Sequence, residues 1–320
     1  MRADYQGIPV DEANQLIRQT SPETIFNTVD RARRVREQYH GRQVSTCAIL
    51  NAKSGNCGEN CAFCPQSARA RSAIDRYPLK SARKMFDAAE QAAQHHAHRF
   101  GIVTSGRGVT SQPEQDAICE AVARIRDAGH IQSCASLGLI TREFLQRLID
   151  AGLTRYHHNL ETARSFYPHI CSSRTYDDNR QTILLAKSLG LKVCCGCLFG
   201  MGETPEQRVE LLADLRELEP DSIPVNFLSL IPGSRLADTP PAPLTPLECL
   251  NTLAVARLMI PGVSLRLCGG REKNLRDLQS WAFAAGATAM MIGAYLTTGN
   301  RNIDIDMQML SDLGLELRPD

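Results

Sequence analysis

The sequence carries no excess of charge of either sign: 36 basic residues stand against 35 acidic ones, and the formal net charge is +1 at pH 7. No global field therefore draws the chain to nucleic acid or to an acidic membrane. No apolar run approaches the roughly 20 residues that cross a bilayer. The opening residues, MRADYQGIPVDEANQL, lack a basic stretch followed by an apolar one and do not read as a secretory signal. Low-complexity tracts are missing as well, and the proline-rich Thr239–Pro243 is a stiff loop too short to link domains. Together these absences point to a soluble, cytoplasmic protein.

Cysteine is abundant by contrast, with 12 in 320 residues. A secreted disulfide framework belongs to short chains with little core, whereas 43% hydrophobic residues over this length build an ample one. In a reducing compartment so many thiols point to metal binding or catalysis.

From about residue 44 onward, short β-branched runs alternate with amphipathic helical stretches. Strands are expected at Ser45–Leu50, Phe100–Thr104, Ile131–Ser136, Arg155–Leu160, Lys192–Leu198, Ser222–Leu228, Ser264–Leu267 and Ala289–Ile292. Helical patterns separate them, among them Ala82–His96, Pro205–Leu218, Pro246–Leu258 and Leu275–Ala285. Gly129, Gly152, Gly190 and Gly286 follow helical stretches closely, where a left-handed cap precedes a tight turn into a strand. Eight such repeats predict an α/β fold, a (β/α)8 TIM-type barrel, ahead of an open doubly wound sheet. Residues 1–43 read as an N-terminal helical extension and 44–320 as the barrel.

The loop after the first strand contains Cys57, Cys61 and Cys64, three thiols within eight residues rich in Gly and Asn. A structural zinc site wants four ligands, usually as two separated pairs. Three close cysteines instead suit a [4Fe–4S] cube held at three irons with the fourth left open. In a barrel this loop lies at the C-terminal mouth, where active sites are built.

The C-x3-C-x2-C spacing, with Phe63 before the last cysteine, resembles the signature of the radical S-adenosylmethionine superfamily. Further segments resemble the biotin synthase family: Cys64-Pro-Gln-Ser67, His158-Asn-Leu-Glu-Thr162, Ser173-Arg-Thr-Tyr176, Val193-Cys194, Gly200-Met-Gly-Glu-Thr204, Pro224-Val-Asn226, Leu265-Arg-Leu267, Gly270-Arg-Glu272 and Leu296-Thr-Thr298. They follow that family's order over roughly residues 40–320. The resemblance implies a radical sulfurtransferase that inserts sulfur into dethiobiotin. S-adenosylmethionine would bind the open iron and yield a carbon radical able to attack unactivated C–H bonds.

Carried over residue by residue, the resemblance places Asn159 and Glu161 at the cofactor, Glu161 on its ribose hydroxyls. Thr104 and Ser105 fall where the methionyl amino group binds. Asn159 would also touch the substrate, Asn226 would contact its ureido ring, and Thr297 and Thr298 would receive its carboxylate. The family's auxiliary [2Fe–2S] cluster, its sulfur donor, takes ligands from strands two, three, five and seven. Cys134, Cys194 and Arg266 match the last three, but the strand-two position is Gly101. The expectation is therefore an auxiliary iron–sulfur cluster bound in another way, [2Fe–2S] or larger, held by Cys134, Cys171 and Cys194 with Arg266 or Cys268. Cys47, Cys119, Cys195, Cys197 and Cys249 are assigned to the core. The resemblance also implies a homodimer served by a flavodoxin or ferredoxin. Two other readings stand beside it: a hydrogenase-maturation enzyme of the same subgroup, and a non-catalytic iron–sulfur redox sensor.

Overall fold

A computed structural model describes residues 7–297, 299 and 301–319. Its strands are β1 (Gln43–Lys53), β2 (Arg99–Thr104), β3 (Gln132–Ser136), β4 (Arg155–His157), β5 (Lys192–Cys194), β6 (Cys197–Phe199), β7 (Ser222–Phe227), β8 (Ser264–Leu267), β9 (Ala289–Met291) and β10 (Glu316–Leu317). All of them pair in parallel, and β1 bonds to β9 as well as to β2, which closes the sheet. Closure decides the fold: the chain forms an eight-stave (β/α)8 barrel rather than an open sheet.

The fifth stave is interrupted. A single strand over Lys192–Leu198 is expected, yet β5 stops at Cys194 and β6 resumes at Cys197, both against β7. Two residues explain the gap. Pro224 of β7 has no N–H to give the ladder. A β-carbon on Gly196 would lie 2.0 Å from the Pro224 carbonyl oxygen, so the chain passes there only as glycine.

The helices are α1 (Val10–Ile17), α2 (Pro22–His40), α3 (Ala82–Gln94), α4 (Gln112–Ala128), α5 (Arg142–Asp150), α6 (Tyr167–Ile170), α7 (Tyr176–Ser188), α8 (Pro205–Leu218), α9 (Pro246–Met259), α10 (Arg271–Leu275), α11 (Trp281–Ala284) and α12 (Ile303–Asp312). Sharp starts have local causes. Thr204 with Gln207 and Thr245 with Glu248 form reciprocal caps ahead of α8 and α9, each opening with proline. Gly129 ends α4 in the left-handed region, at φ 71°. The helix expected over Leu275–Ala285 is instead two short ones joined by a 3-10 turn, because Arg276 takes a φ of 51°.

α1 and α2 pack on α8 and α9. Arg216 donates to the Ile8 carbonyl at 3.0 Å, and Asn251 to that of Leu16 at 2.8 Å. Among the described residues no helix is long and apolar enough to cross a membrane.

Candidate active site

The cysteine loop leaves β1 at the barrel mouth and is folded by its own backbone. Cys57 N–H donates to the Gln66 carbonyl at 3.0 Å, Ala68 N–H to that of Cys57 at 2.8 Å, and Cys64 N–H to that of Cys61 at 3.1 Å. The Gln66 side chain accepts from Gly55 N–H at 3.2 Å, and the Ser105 hydroxyl donates to the Gly55 carbonyl at 2.7 Å. A strap following α6 clasps the loop from outside. Ala62 N–H donates to Ile170, and the Asn60 side chain accepts from Ser172 N–H at 3.0 Å and Ser173 N–H at 3.1 Å. The buried Glu59 carboxylate takes Arg107 at 3.0 Å and the Ser173 hydroxyl. Protein bonds thus set the loop, and Cys57, Cys61 and Cys64, all free thiols, face one cavity of about 410 Å3.

Alternate residues of β4 and its continuation line that cavity from floor to mouth: Arg155, His157, Asn159 and Glu161. Glu161 holds a φ of 72°, and burial raises its carboxyl above the ordinary range. The Asn159 amide accepts from Gly196 N–H at 3.0 Å and reaches Glu161 at 3.4 Å. Asn226 donates to the Cys197 carbonyl at 3.0 Å and accepts from Gly269 N–H at 2.9 Å. Each asparagine is oriented by backbone and keeps hydrogen-bonding capacity for a ligand. Burial pushes His157 down to about 4, so its ring lines the cavity uncharged. Its neighbour His158 is buried against Asn179 at 3.0 Å.

Thr104, Ser105, Phe63 and Thr297 also line the cavity, while Thr298 lies outside the described residues. Cys134 of β3, Cys194 of β5, Arg266 of β8 and Cys268 just beyond β8 line the floor of the same cavity. Burial, and behind it Cys194, pushes the Cys134 thiol up to about 12 against the pull of Arg99 and Arg155. Such thiols ionise only when something replaces the proton, as iron does.

Cys171 does not join them. Its sulfur sits 3.7 Å from that of Cys61, because the strap that carries it is bonded to the triad loop. Several lining residues were not singled out as ligands or contacts in the sequence. Cys47 of β1, assigned to the core, faces the cavity, and so do Arg99 and Arg174. The Arg174 guanidinium donates to the Tyr167 hydroxyl at 3.2 Å and acts on Cys61 and Glu161. Arg174 belongs to the Ser173-Arg-Thr-Tyr176 segment, but nothing in the sequence says that its loop turns inward.

The sequence profile of the radical SAM superfamily matches residues 52–215, and that of the biotin and thiamin synthesis associated domain matches residues 224–316. Over 310 residues the chain is 51% identical to the biotin synthase of Geobacter sulfurreducens, covering 96% of this chain and 93% of that one. With the biotin synthase of Trichlorobacter lovleyi it shares 51% over 284 residues, 89% of this chain and 85% of the relative. This chain belongs to the biotin synthase family. Its cofactors are accordingly a [4Fe–4S] cluster, S-adenosylmethionine and an auxiliary iron–sulfur cluster. The donor set fits them: three thiols of one short loop at the mouth, and a second group of thiols among guanidinium groups on the floor. Among solved structures, methylornithine synthase superposes with a TM-score of 0.86 at 19% identity, covering 99% of this chain and 96% of that one. The FeFe-hydrogenase maturase HydG of Carboxydothermus hydrogenoformans gives 0.84 at 17%, covering 99% and 77%. At such identities these two speak for the fold alone.

Proposed function

We propose that the cavity takes dethiobiotin beside S-adenosylmethionine and that the protein converts it to biotin, the auxiliary cluster supplying the sulfur. One observation carries this reading: the triad loop and the thiol floor open into a single cavity, so a small substrate between them reaches both. Cys57, Cys61 and Cys64 would hold the [4Fe–4S] cluster. When bound and reduced, that cluster and its cofactor supply a carbon radical strong enough to take hydrogen from an unactivated C–H bond.

The chain's own residues bind and orient. Glu161 accepts from the ribose hydroxyls, and Thr104 and Ser105 receive the methionyl amino group. Asn159 and Asn226, fixed by backbone bonds, present an amide N–H and a carbonyl oxygen to the ureido ring, which has both donors and an acceptor. Thr297 and Thr298 take the substrate carboxylate. Cys134 and Cys194, with Arg266 or Cys268, hold the auxiliary cluster. The protein works in the cytoplasm as a homodimer, reduced by a flavodoxin or ferredoxin.

Incubating the anaerobically reconstituted protein with S-adenosylmethionine, a reductant and dethiobiotin tests the reading. Biotin together with 5′-deoxyadenosine by mass spectrometry is expected. Deoxyadenosine without biotin would mean another substrate, as in hydrogenase maturation, and no cleavage of the cofactor would favour a redox sensor.

A further inference from the structure

With Gly101 on the second stave, the auxiliary cluster is one thiolate short. The register of the barrel identifies the residue that takes its place. Cys47 pairs with Arg99, which pairs with Gln132, two residues before Cys134. Cys134 pairs with Arg155, which pairs with Lys192, two residues before Cys194. Cys194 pairs with Ser222, which pairs with Ser264, two residues before Arg266. Arg266 pairs with Ala289, which pairs with Ser45, two residues before Cys47. The circuit closes on itself.

A uniform advance of two residues per second stave is the stagger that tilted strands impose on a parallel barrel with a shear of about 8. Cys47, Cys134, Cys194 and Arg266 therefore stand at one height, one from each odd-numbered stave. Barrel interiors fill in this way, four side chains to a layer from alternate strands.

Gly101 belongs to the even layer just above, two residues past Arg99. Its surroundings are tight. A β-carbon there would meet the Cγ2 of Ile49 at 3.1 Å. Ile49 lies two residues beyond Cys47 on the same inward face of β1, and both line the cavity. The first stave thus crowds a side chain at position 101 and offers a thiol of its own one step lower. Arg99 and Arg155, in the layer beneath, place positive charge under an anionic cluster.

We propose that Cys47 is an auxiliary-cluster ligand, replacing the absent second-stave thiolate, so that Cys47, Cys134 and Cys194 bind the cluster from one layer beside Arg266. The proposal rests on the biotin synthase reading for the cluster's presence. Each thiol releases its proton to solvent as it binds iron.

The test begins with the full chain carrying Cys57→Ala, Cys61→Ala and Cys64→Ala, in which any cluster iron belongs to the floor. After anaerobic reconstitution with iron and sulfide, both are counted and Mössbauer spectra recorded. Adding Cys47→Ala is expected to remove most of the floor iron, as Cys134→Ala does, while Cys119→Ala on α4 leaves it in place. Cys47→Ser, which keeps the size of the side chain, covers the case in which the alanine variant fails to fold, and its Mössbauer parameters should shift. Combining Cys47→Ala with Ile49→Ala and Gly101→Cys should restore iron. Full iron and an unchanged spectrum in Cys47→Ala or Cys47→Ser would overturn the assignment. Iron held through Cys47, together with no biotin from the chain whose triad is intact, would instead keep the assignment and defeat the functional reading.

Discussion

Cys61 and Cys171, 110 residues apart in sequence, hold their sulfurs 3.7 Å apart at the barrel mouth. Cys61 donates to Cys171 and is held protonated above its ordinary range. A disulfide needs the two sulfurs to close to about 2.05 Å. Air that strips the cluster should therefore oxidise this pair, the two thiols losing two protons and two electrons to oxygen. Peptide mass spectrometry without reduction should find Cys61 linked to Cys171 in the oxidised apoprotein. Cys171→Ser should rebuild its triad cluster without added thiol reductant. Equal dependence on reductant in the variant and the parent would refute the pairing.

Arg271 and Asp306 form an ion pair with both side chains fully excluded from solvent, and Gln279 accepts from the same guanidinium at 2.7 Å. The pair fastens α12 to α10 behind the cavity, next to Tyr295, whose hydroxyl donates to the Cys268 carbonyl at 2.9 Å. Asp306→Ala leaves a buried guanidinium uncompensated and should cost about 3–5 kcal/mol. Urea unfolding of the apoprotein measures it. Arg271→Met with Asp306→Leu should recover most of the loss.

Glu161, on the continuation of β4, presents a carboxylate to the cavity. Glu161→Gln keeps the shape but removes the charge that would strengthen two bonds to a ribose diol. Hydrogen bonds to charged groups are worth about 1.5–3 kcal/mol, so affinity for S-adenosylmethionine should fall about 10- to 100-fold. Equilibrium dialysis with the oxidised [4Fe–4S] protein reads this directly, and unchanged binding would remove Glu161 from the site.

His158 is pushed down to about 3, by burial first and then by Arg174. The unfolded chain returns it to about 6.5. Since the folded value is depressed, its contribution to stability is complete above about pH 6.5 and is lost as pH falls toward the folded value. Between about pH 6.5 and 5 this residue should add up to about 1.4 kcal/mol per pH unit to the slope of apoprotein stability. His158→Gln, which can still donate to Asn179, should flatten that slope. An identical slope in the variant would show that the ring is protonated in the native state.

The alternation of strands and helices was legible because turn glycines and helix caps act locally, as Gly129 and the Thr204 and Thr245 caps do. The break in the fifth stave was not, because it arises from Pro224 on a neighbouring strand meeting Gly196. The site divides along the same line. Cys57, Cys61 and Cys64 announce themselves by spacing, since one short loop carries all three. Cys47 could not be told from a core thiol by spacing, because its height relative to Cys134 and Cys194 exists only once the barrel closes. Cys171 was placed on the right side of the barrel, yet its partner depended on the path of a strap anchored to Asn60.

A single turnover with the auxiliary cluster rebuilt from heavy-isotope sulfide tests the whole scheme most directly. The protein is reconstituted with labelled sulfide, freed of excess and given dethiobiotin, S-adenosylmethionine and reductant, and the product is weighed by mass spectrometry. Biotin carrying the heavy sulfur is expected from the native chain, with little or none from Cys47→Ala. Biotin formed with unlabelled sulfur, or labelled biotin in undiminished yield from Cys47→Ala, would contradict it.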